Sequence, residues 1–314
     1  MERVKMKDLI TVITLAYYSL HLKETIDSVL MQTYPRIQYL IFDDASSSFS
    51  LQEIENYIEK KKRTNIEEYV VYQNKTNLGT VKSYYSALQY VKGNYIFHLA
   101  GDDIFYDALV LEEWVCEFLK RGSGIITAYR AVYDKEMKQY QGLLPTKEQV
   151  EILLQKDARQ LFEELTKGNF IFGCCTARSR ENIKKYGICS KKYQLVDDYP
   201  TYLSLTRKGE NIEFWDRIVI QYRSGGMSSP INFNQQYEKD SDLIFRNEII
   251  KYTKYPLKRW FSYQKWKYWH KGEGRILFYQ KKYQKNRIKQ LLISIRYPIH
   301  ALRVYRKKRR KKNN

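Results

Sequence analysis

The sequence predicts an α/β fold, a mixed but mostly parallel sheet flanked by helices, with a basic helical extension behind it. Three observations lead there. Compact β-branched runs alternate with segments whose apolar residues recur at helical spacing. Two of those runs end in paired aspartates, Asp43-Asp44 and Asp102-Asp103. The net charge of +20 also sits almost wholly in one place: residues 251–314 hold 22 Lys and Arg against the single acid Glu273, leaving residues 1–250 at −1. At 314 residues and 43% hydrophobic content, the chain can bury a sizeable core as one large or two modest domains.

The elements follow in order. Thr11–Ala16 reads as a buried strand, and Leu22, Ile26, Val29 and Leu30 give a helical stripe that stops near Pro35. Ile37–Phe42 is a second strand, so the first three elements form a βαβ unit with a parallel pairing and a right-handed crossover. A polar helix near Leu51–Lys62, a strand Tyr69–Gln73, the loop Asn77-Leu78-Gly79, a helix near Val81–Val91 and a strand Tyr95–Leu99 continue the pattern. Residues 106–168 read as mainly helical around a strand Ile125–Tyr129. Phe170–Arg178 reads as another strand, followed by a short helix ending at Tyr186-Gly187. A third acidic pair, Asp197-Asp198, precedes a helix through Arg207, and Ile218–Tyr222 closes the strands.

Both early acidic pairs fall at the carboxyl ends of parallel strands, which is where open α/β sheets bind ligands. Adjacent carboxylates beside apolar sequence, as in Phe97–Tyr106, need solvent, a cation or a substrate to offset their charge. Four cysteines, Cys116, Cys174, Cys175 and Cys189, form no CxxC pair and have no histidine at zinc-ligand spacing, so free thiols are expected. No apolar stretch reaches the length of a membrane span, and the N-terminus lacks a secretory pattern. The expected location is the cytoplasm, peripheral on the inner face of the cell membrane.

Taken together, "VITLAYY" (12–18), "TIDSVLMQTYPRIQYLIFDDAS" (25–46), "NLGTVKSYYSALQYVKGNYIFHLAGDD" (77–103), "VDDY" (196–199) and "YRSGGMS" (222–228) resemble glycosyltransferase family 2, inverting enzymes of the Rossmann-like GT-A fold. The resemblance implies a GT-A domain over 1–229, with a donor-binding half of about 1–105 and an acceptor half of about 106–229. It implies transfer of a sugar from a nucleotide-diphosphate donor, with a UDP-sugar expected, to a hydroxyl of a glycan or polyprenyl-diphosphate-linked acceptor in bacterial surface-polysaccharide assembly. A nucleotidyltransferase, or a degenerate sugar-nucleotide-binding scaffold, is the alternative.

Departure of a nucleoside diphosphate builds negative charge, which a divalent cation held by carboxylates offsets. Mn2+ or Mg2+ suits such oxygen ligands, with Asp103 as the direct ligand and Asp102 supporting the metal or the donor's ribose. By resemblance, Asp44 contacts the nucleotide base and Ala16-Tyr17 line the same pocket. The local alternatives are a turn-capping Asp43 and ordinary packing for Tyr17. Asp198 matches the family's catalytic aspartate, the base that takes the acceptor's proton, and Asp197 raises its proton affinity by like-charge repulsion. A helix N-terminus favours acids in any case.

The chain departs from the family in two places. Tyr84-Tyr85 stands where an Arg-Asn pair is common, leaving Lys82 as a substitute, and "YRSGGMS" lacks a histidine, so Arg223 and its glycines are the diphosphate-loop candidates. Residues 230–314 form a basic, aromatic-rich region in which 13 aromatics interleave with the cations of 251–314. Trp260, Trp266 and Trp269, followed by the stripe Ile288, Leu291, Leu292 and Ile295, suit an anionic membrane surface. Single-stranded nucleic acid is the less favoured partner, and packing on the catalytic domain the blandest reading.

Overall fold

The computed structural model describes residues 8–225 and 234–270 and divides into two compact units, one reaching Lys254 and the other beginning at Tyr255. In the first, β1 (Ile10–Ala16) lies between β2 (Ile37–Asp43) and β4 (Tyr95–Ala100), parallel to both, and β3 (Ile66–Gln73) adds outside β2. Crossovers through α1 (Leu22–Leu30), α2 (Leu51–Lys61) and α3 (Thr80–Leu88) make this half the expected run of βαβ units. The register brings the strand ends level, Ala16 beside Asp43 and Leu15 beside Ala100. Everything that follows β1, β2 and β4 therefore emerges along one edge.

Alternation along these strands explains the layering. Ile37, Tyr39 and Ile41 of β2 and Phe97 and Leu99 of β4 share one core with Ile26, Val29 and Leu30 of α1 and with Trp114 and Phe118 of α4 (Val110–Arg121). Leu40, Phe42 and Ile96 point the other way and pack with Tyr84 and Ala87 of α3. A strand covered on both faces reads as a continuous apolar run, which is why β1 and β2 stand out in the sequence.

Beyond β4 the sheet changes direction. Its order is β3-β2-β1-β4-β8-β6-β9-β5, with β8 (Thr176–Ser179) antiparallel to both β4 and β6 (Ile125–Tyr133). β9 (Glu213–Arg223) runs parallel to β6, and the two-residue β5 (Ile104–Phe105) pairs with β9. This is a mixed, mostly parallel sheet flanked by helices, as expected. Residues 106–168 are less helical than their pattern suggests. β6 extends to Tyr133 and turns back into β7 (Tyr140–Leu144), the Asp134 carboxylate accepting the Lys138 and Gln139 N–H groups of the turn. Only α5 (Lys147–Leu154) and α6 (Ala158–Leu165) follow it as helix before residue 168.

The strand expected at 170–178 is confined to β8, because the chain before it turns on itself: the Phe172 carbonyl accepts Cys175 N–H and the Thr176 hydroxyl, using locally the groups a ladder needs. α7 (Arg180–Tyr186) and α8 (Asp198–Arg207) complete the helices up to β9. Residues 234–254 belong to this unit as well, forming α9 (Gln235–Ile244) and a wide π-type turn over Phe245–Ile249. In the second unit, α10 (Pro256–His270) opens on proline, whose missing N–H is tolerated at a first helical position. Residues 226–233 and 271–314 lie outside the described residues, and with them Gly226, Met227 and Ser228 of the glycine loop and the stripe from Ile288 to Ile295.

Candidate active site

The edge at the ends of β1, β2 and β4 is organised by aspartates. Asp43 accepts from Ser46 N–H and hydroxyl at 2.7 and 2.6 Å and from Gln73 Nε2 at 3.0 Å, so its part is the local turn. Asp44, whose N–H donates to the Ala16 carbonyl, turns its buried carboxylate to the loop before α3. It accepts Asn74 Nδ2, Leu78 N–H and Gly79 N–H, each at 2.8 Å. Gly79 is required there: its φ is +80°, and a Cβ would lie 2.6 Å from the Gln194 carbonyl oxygen. Ala16 is buried. Tyr17, 42% exposed, stands edge-on to Tyr18.

Asp102 and Asp103 sit in the turn between β4 and β5. The turn is tied down from three directions: Thr25 Oγ1 donates to the Asp103 carbonyl, Arg223 N–H donates to Asp103 Oδ1 at 3.0 Å, and Arg223 Nε donates to the Asp102 carbonyl. The rest of the Arg223 guanidinium reaches the Lys135 carbonyl and the Glu24 carboxylate. All three of its nitrogens are thus engaged by protein, which makes Arg223 a clamp on the turn. Burial pushes both carboxyls to higher proton affinity, Asp103 the more strongly, with Cys174 and Asp102 adding to the effect. Such a pair is short of positive charge.

The third pair opens α8. Asp198 Oδ1 accepts Tyr199 N–H, and Oδ2 accepts Gly173 N–H and Asn169 Nδ2 at 3.3 Å. Burial first and the neighbouring Asp197 second push Asp198 up to about 6, and burial does the same to Asp197. The loop leading into the pair hangs on a buried acid of α9: Asp240 Oδ2 accepts the N–H groups of Gln194, Leu195 and Val196 at 2.6 to 3.1 Å.

Three residues in this region escape sequence reading. Asp240 lies on a polar helix with no motif around it. His98 faces the α3 side of β4, stacked on Tyr84 at 5.2 Å. It shares with Asp197 and Asp198 a small cavity of about 30 Å3. Burial lowers it to about 4, so it stays neutral, and its Nε2 has no hydrogen-bond partner among the described residues. A polar residue inside "YIFHLA" was the available signal. Arg130, a lone cation inside the apolar strand β6, carried a similar one.

Of the expected donor-side residues, Lys82 is exposed on the first turn of α3, and Tyr84 and Tyr85 are taken up by packing and by a hydrogen bond to the Cys189 carbonyl. All four cysteines are free.

The sequence profile described as Glycosyl transferase family 2 matches residues 11–187, more than half the chain. The chain belongs to glycosyl transferase family 2. An "uncharacterized glycosyltransferase" of Haemophilus influenzae is 22% identical over 253 residues, 78% of this chain and 74% of the relative. Among solved structures, S. aureus TarS superposes with a TM-score of 0.57 at 15% identity over 88% of this chain, which spans 46% of the TarS length. TarS 1-349 in complex with UDP-GlcNAc gives 0.56 at 17% identity, covering 81% of this chain and 73% of that one. These likenesses show the GT-A fold. The family profile ends at Tyr186-Gly187, short of Asp197-Asp198, β9 and α9.

As a place for the divalent ion that family 2 chemistry implies, the Asp102-Asp103 turn has the right donors. Its oxygens are hard ligands in a buried setting, and Asp103 Oδ2 has no hydrogen-bond partner among the described residues. No group of three or more His, Cys, Asp or Glu at metal-binding spacing occurs among the described residues. An ion here would draw most of its shell from phosphate oxygens and water.

Proposed function

We propose that this family 2 enzyme transfers a sugar, with inversion, from a uridine-diphosphate donor to a hydroxyl of a glycan or lipid-linked acceptor in surface-polysaccharide assembly. The observation that supports it most is Asp198: a carboxylate fixed by Gly173, Asn169 and Tyr199, with burial raising its proton affinity towards the working range of a general base. The donor assignment rests on the GT-A fold and on the UDP-GlcNAc bound by TarS.

In this reading the uracil lies over Tyr17 beside Ala16, and its N–H uses the acceptor capacity left on Asp44 beyond three protein donors. Lys82 approaches the same nucleotide from the first turn of α3. Asp103, with Asp102 beside it, would hold Mn2+ or Mg2+, which would supply the positive charge that the departing diphosphate needs. Arg223 serves the diphosphate indirectly by holding this turn. Asp198 takes the acceptor proton as its oxygen attacks the anomeric carbon, and single displacement from the face opposite the diphosphate inverts that carbon.

The basic extension brings the enzyme to an anionic membrane surface, where a lipid-linked acceptor is presented. No helix among the described residues is long and apolar enough to cross a membrane. α10 displays Leu257, Trp260 and Phe261 at 75%, 45% and 65% exposure beside Lys258, the pattern of a segment that lies in the interface.

The test incubates the protein with Mn2+ and a panel of nucleotide sugars, following nucleoside diphosphate release with and without polyprenyl-diphosphate-linked acceptors. Release from a UDP-sugar that is stimulated by acceptor and lost in Asp198→Ala is expected. Wild-type rates in both Asp103→Ala and Asp198→Ala would remove the mechanism. Retained binding to anionic vesicles after deletion of residues 251–314 would remove the membrane assignment.

A further inference from the structure

Arg130 occupies an unusual position. Its guanidinium is sandwiched between the rings of Phe172 and Tyr222, with centroids at 3.5 and 4.0 Å. Among the described residues its only polar side-chain contact is a long one, Nη1 to Cys174 Sγ at 3.9 Å. Nε is buried with no partner, and no carboxylate lies within ion-pair distance among the described residues. The side chain remains partly open to solvent. A cation held this way has lost hydration without gaining a counter-ion, an arrangement that costs stability unless something else supplies the anion.

The two rings say where Arg130 stands. Phe172 precedes Gly173, whose N–H holds Asp198 Oδ2; Tyr222 precedes Arg223, whose N–H holds Asp103 Oδ1. The guanidinium therefore bridges the two loops that fix the proposed base and the proposed metal ligand, and its charge is felt at both carboxyls. On the proposed reading, the bond from sugar to diphosphate breaks between those two carboxyls. Each of those carboxyls belongs to an acidic pair, so a diphosphate entering between them needs a fixed cation besides any metal. Arg suits this better than Lys, because a planar fork stacked between rings is already oriented for bidentate contact with phosphate.

We propose that Arg130 binds the distal phosphate of the nucleoside diphosphate, both in the donor and in the leaving group. This rests on the nucleotide-sugar reading above. No bond is made or broken at Arg130. It donates N–H groups to phosphate oxygens whose negative charge grows as the sugar departs, and so favours the transition state over the bound donor.

The experiment compares UDP with UMP, since only UDP carries the distal phosphate, by titration calorimetry in Mg2+ buffer on wild type, Arg130→Gln and Arg130→Lys. ADP, GDP, CDP and dTDP are included for wild type, and the best-bound nucleoside replaces uridine if it is another. The preference for diphosphate over monophosphate should fall about ten- to a hundredfold in Arg130→Gln and by less in Arg130→Lys, with monophosphate affinity unchanged. Because it is a ratio within one sample, a fraction of unfolded variant does not alter it. An unchanged preference in Arg130→Gln or, should that variant not fold, in Arg130→Lys overturns this inference alone. Failure of wild type to bind any of the five diphosphates overturns the donor reading and this inference together.

Discussion

Replacing Asp197 by Asn should move the acid limb of the reaction towards lower pH while leaving the rate at pH 7.5 almost unchanged. Asp198 stands at about 6 because burial disfavours its charge and because Asp197 adds like-charge repulsion, in that order. A free aspartate titrates near 3.9, so the total rise is about two units, and the smaller cause accounts for up to about one of them. Without Asp197 the limb should fall to between about 5 and 5.5. If it reached 5, the ionised fraction of Asp198 at pH 5 would rise from about 9% to about 50%, roughly a fivefold gain in rate if proton removal limits it. At pH 7.5 both enzymes have Asp198 almost fully ionised. The assay is kcat/KM for nucleoside diphosphate release from pH 4.5 to 8, with acceptor held constant. An acid limb that stays in place in Asp197→Asn refutes the claim that the pair is electrostatically linked. A limb that moves equally in Asp102→Asn refutes the assignment of the base to the α8 pair.

The same burial sets a stability effect of opposite sense to the activity effect. The folded state binds the Asp198 proton more tightly than the unfolded chain, so stability is greatest below about pH 4 and falls as pH rises through the window to about 6. Asp198→Asn should abolish transfer yet stabilise the protein at pH 7.5 by about 1 to 3 kcal/mol, read by urea unfolding; a destabilised variant would contradict it. Asp240→Ala strips three backbone N–H groups of their acceptor and should cost about 3 kcal/mol or more, with faster hydrogen exchange at Gln194, Leu195 and Val196 and a slower reaction. Exchange rates like those of wild type would show that Asp240 does not hold the loop. Gly79→Ala meets both a positive φ and the Gln194 carbonyl, so a loss of about 2 kcal/mol or more is expected in thermal melts, and an unchanged melt would refute the required glycine.

Much of this site is legible in the sequence for a physical reason. Parallel strands buried on both faces announce themselves as apolar runs, and a carboxylate at the end of such a run has only the sheet edge to occupy. That logic places Asp44 and Asp102-Asp103 on one edge, and it separates Asp43, whose carboxylate closes its own turn, from Asp44, which reaches 34 residues along to the Leu78 N–H. The acceptor half is less legible. β6 pairs antiparallel with β7 and β8 but parallel with β9, and the turn at 170–175 is stabilised by partners far away, above all Asp198, which no local pattern in "NFIFGCC" records. Asp240 is invisible for the same reason: its three partners lie more than forty residues earlier, and nothing on a polar helix tells a solvated aspartate from one that anchors a loop.

Charge ties the two halves together. Residues 1–105 supply Asp102 and Asp103, and residues 106–225 supply Asp197, Asp198 and the cation Arg130. Each carboxyl is driven by burial towards its protonated form. A site like this disfavours its own charged state until an external positive charge and a matching anion arrive together: on the proposed reading the cation would offset Asp103, and the diphosphate would engage Arg130. Binding either alone leaves the other group uncompensated, so nucleotide and metal should bind cooperatively, each raising the affinity for the other by the same factor. Titrating UDP with and without Mn2+, and Mn2+ with and without UDP, measures that factor from both sides. Equal and large coupling supports the arrangement; additive binding shows that the diphosphate does not bridge metal and protein. In Arg130→Gln the diphosphate should still gain from the metal, because Asp103 would hold the ion without Arg130, while wild-type affinity is lost.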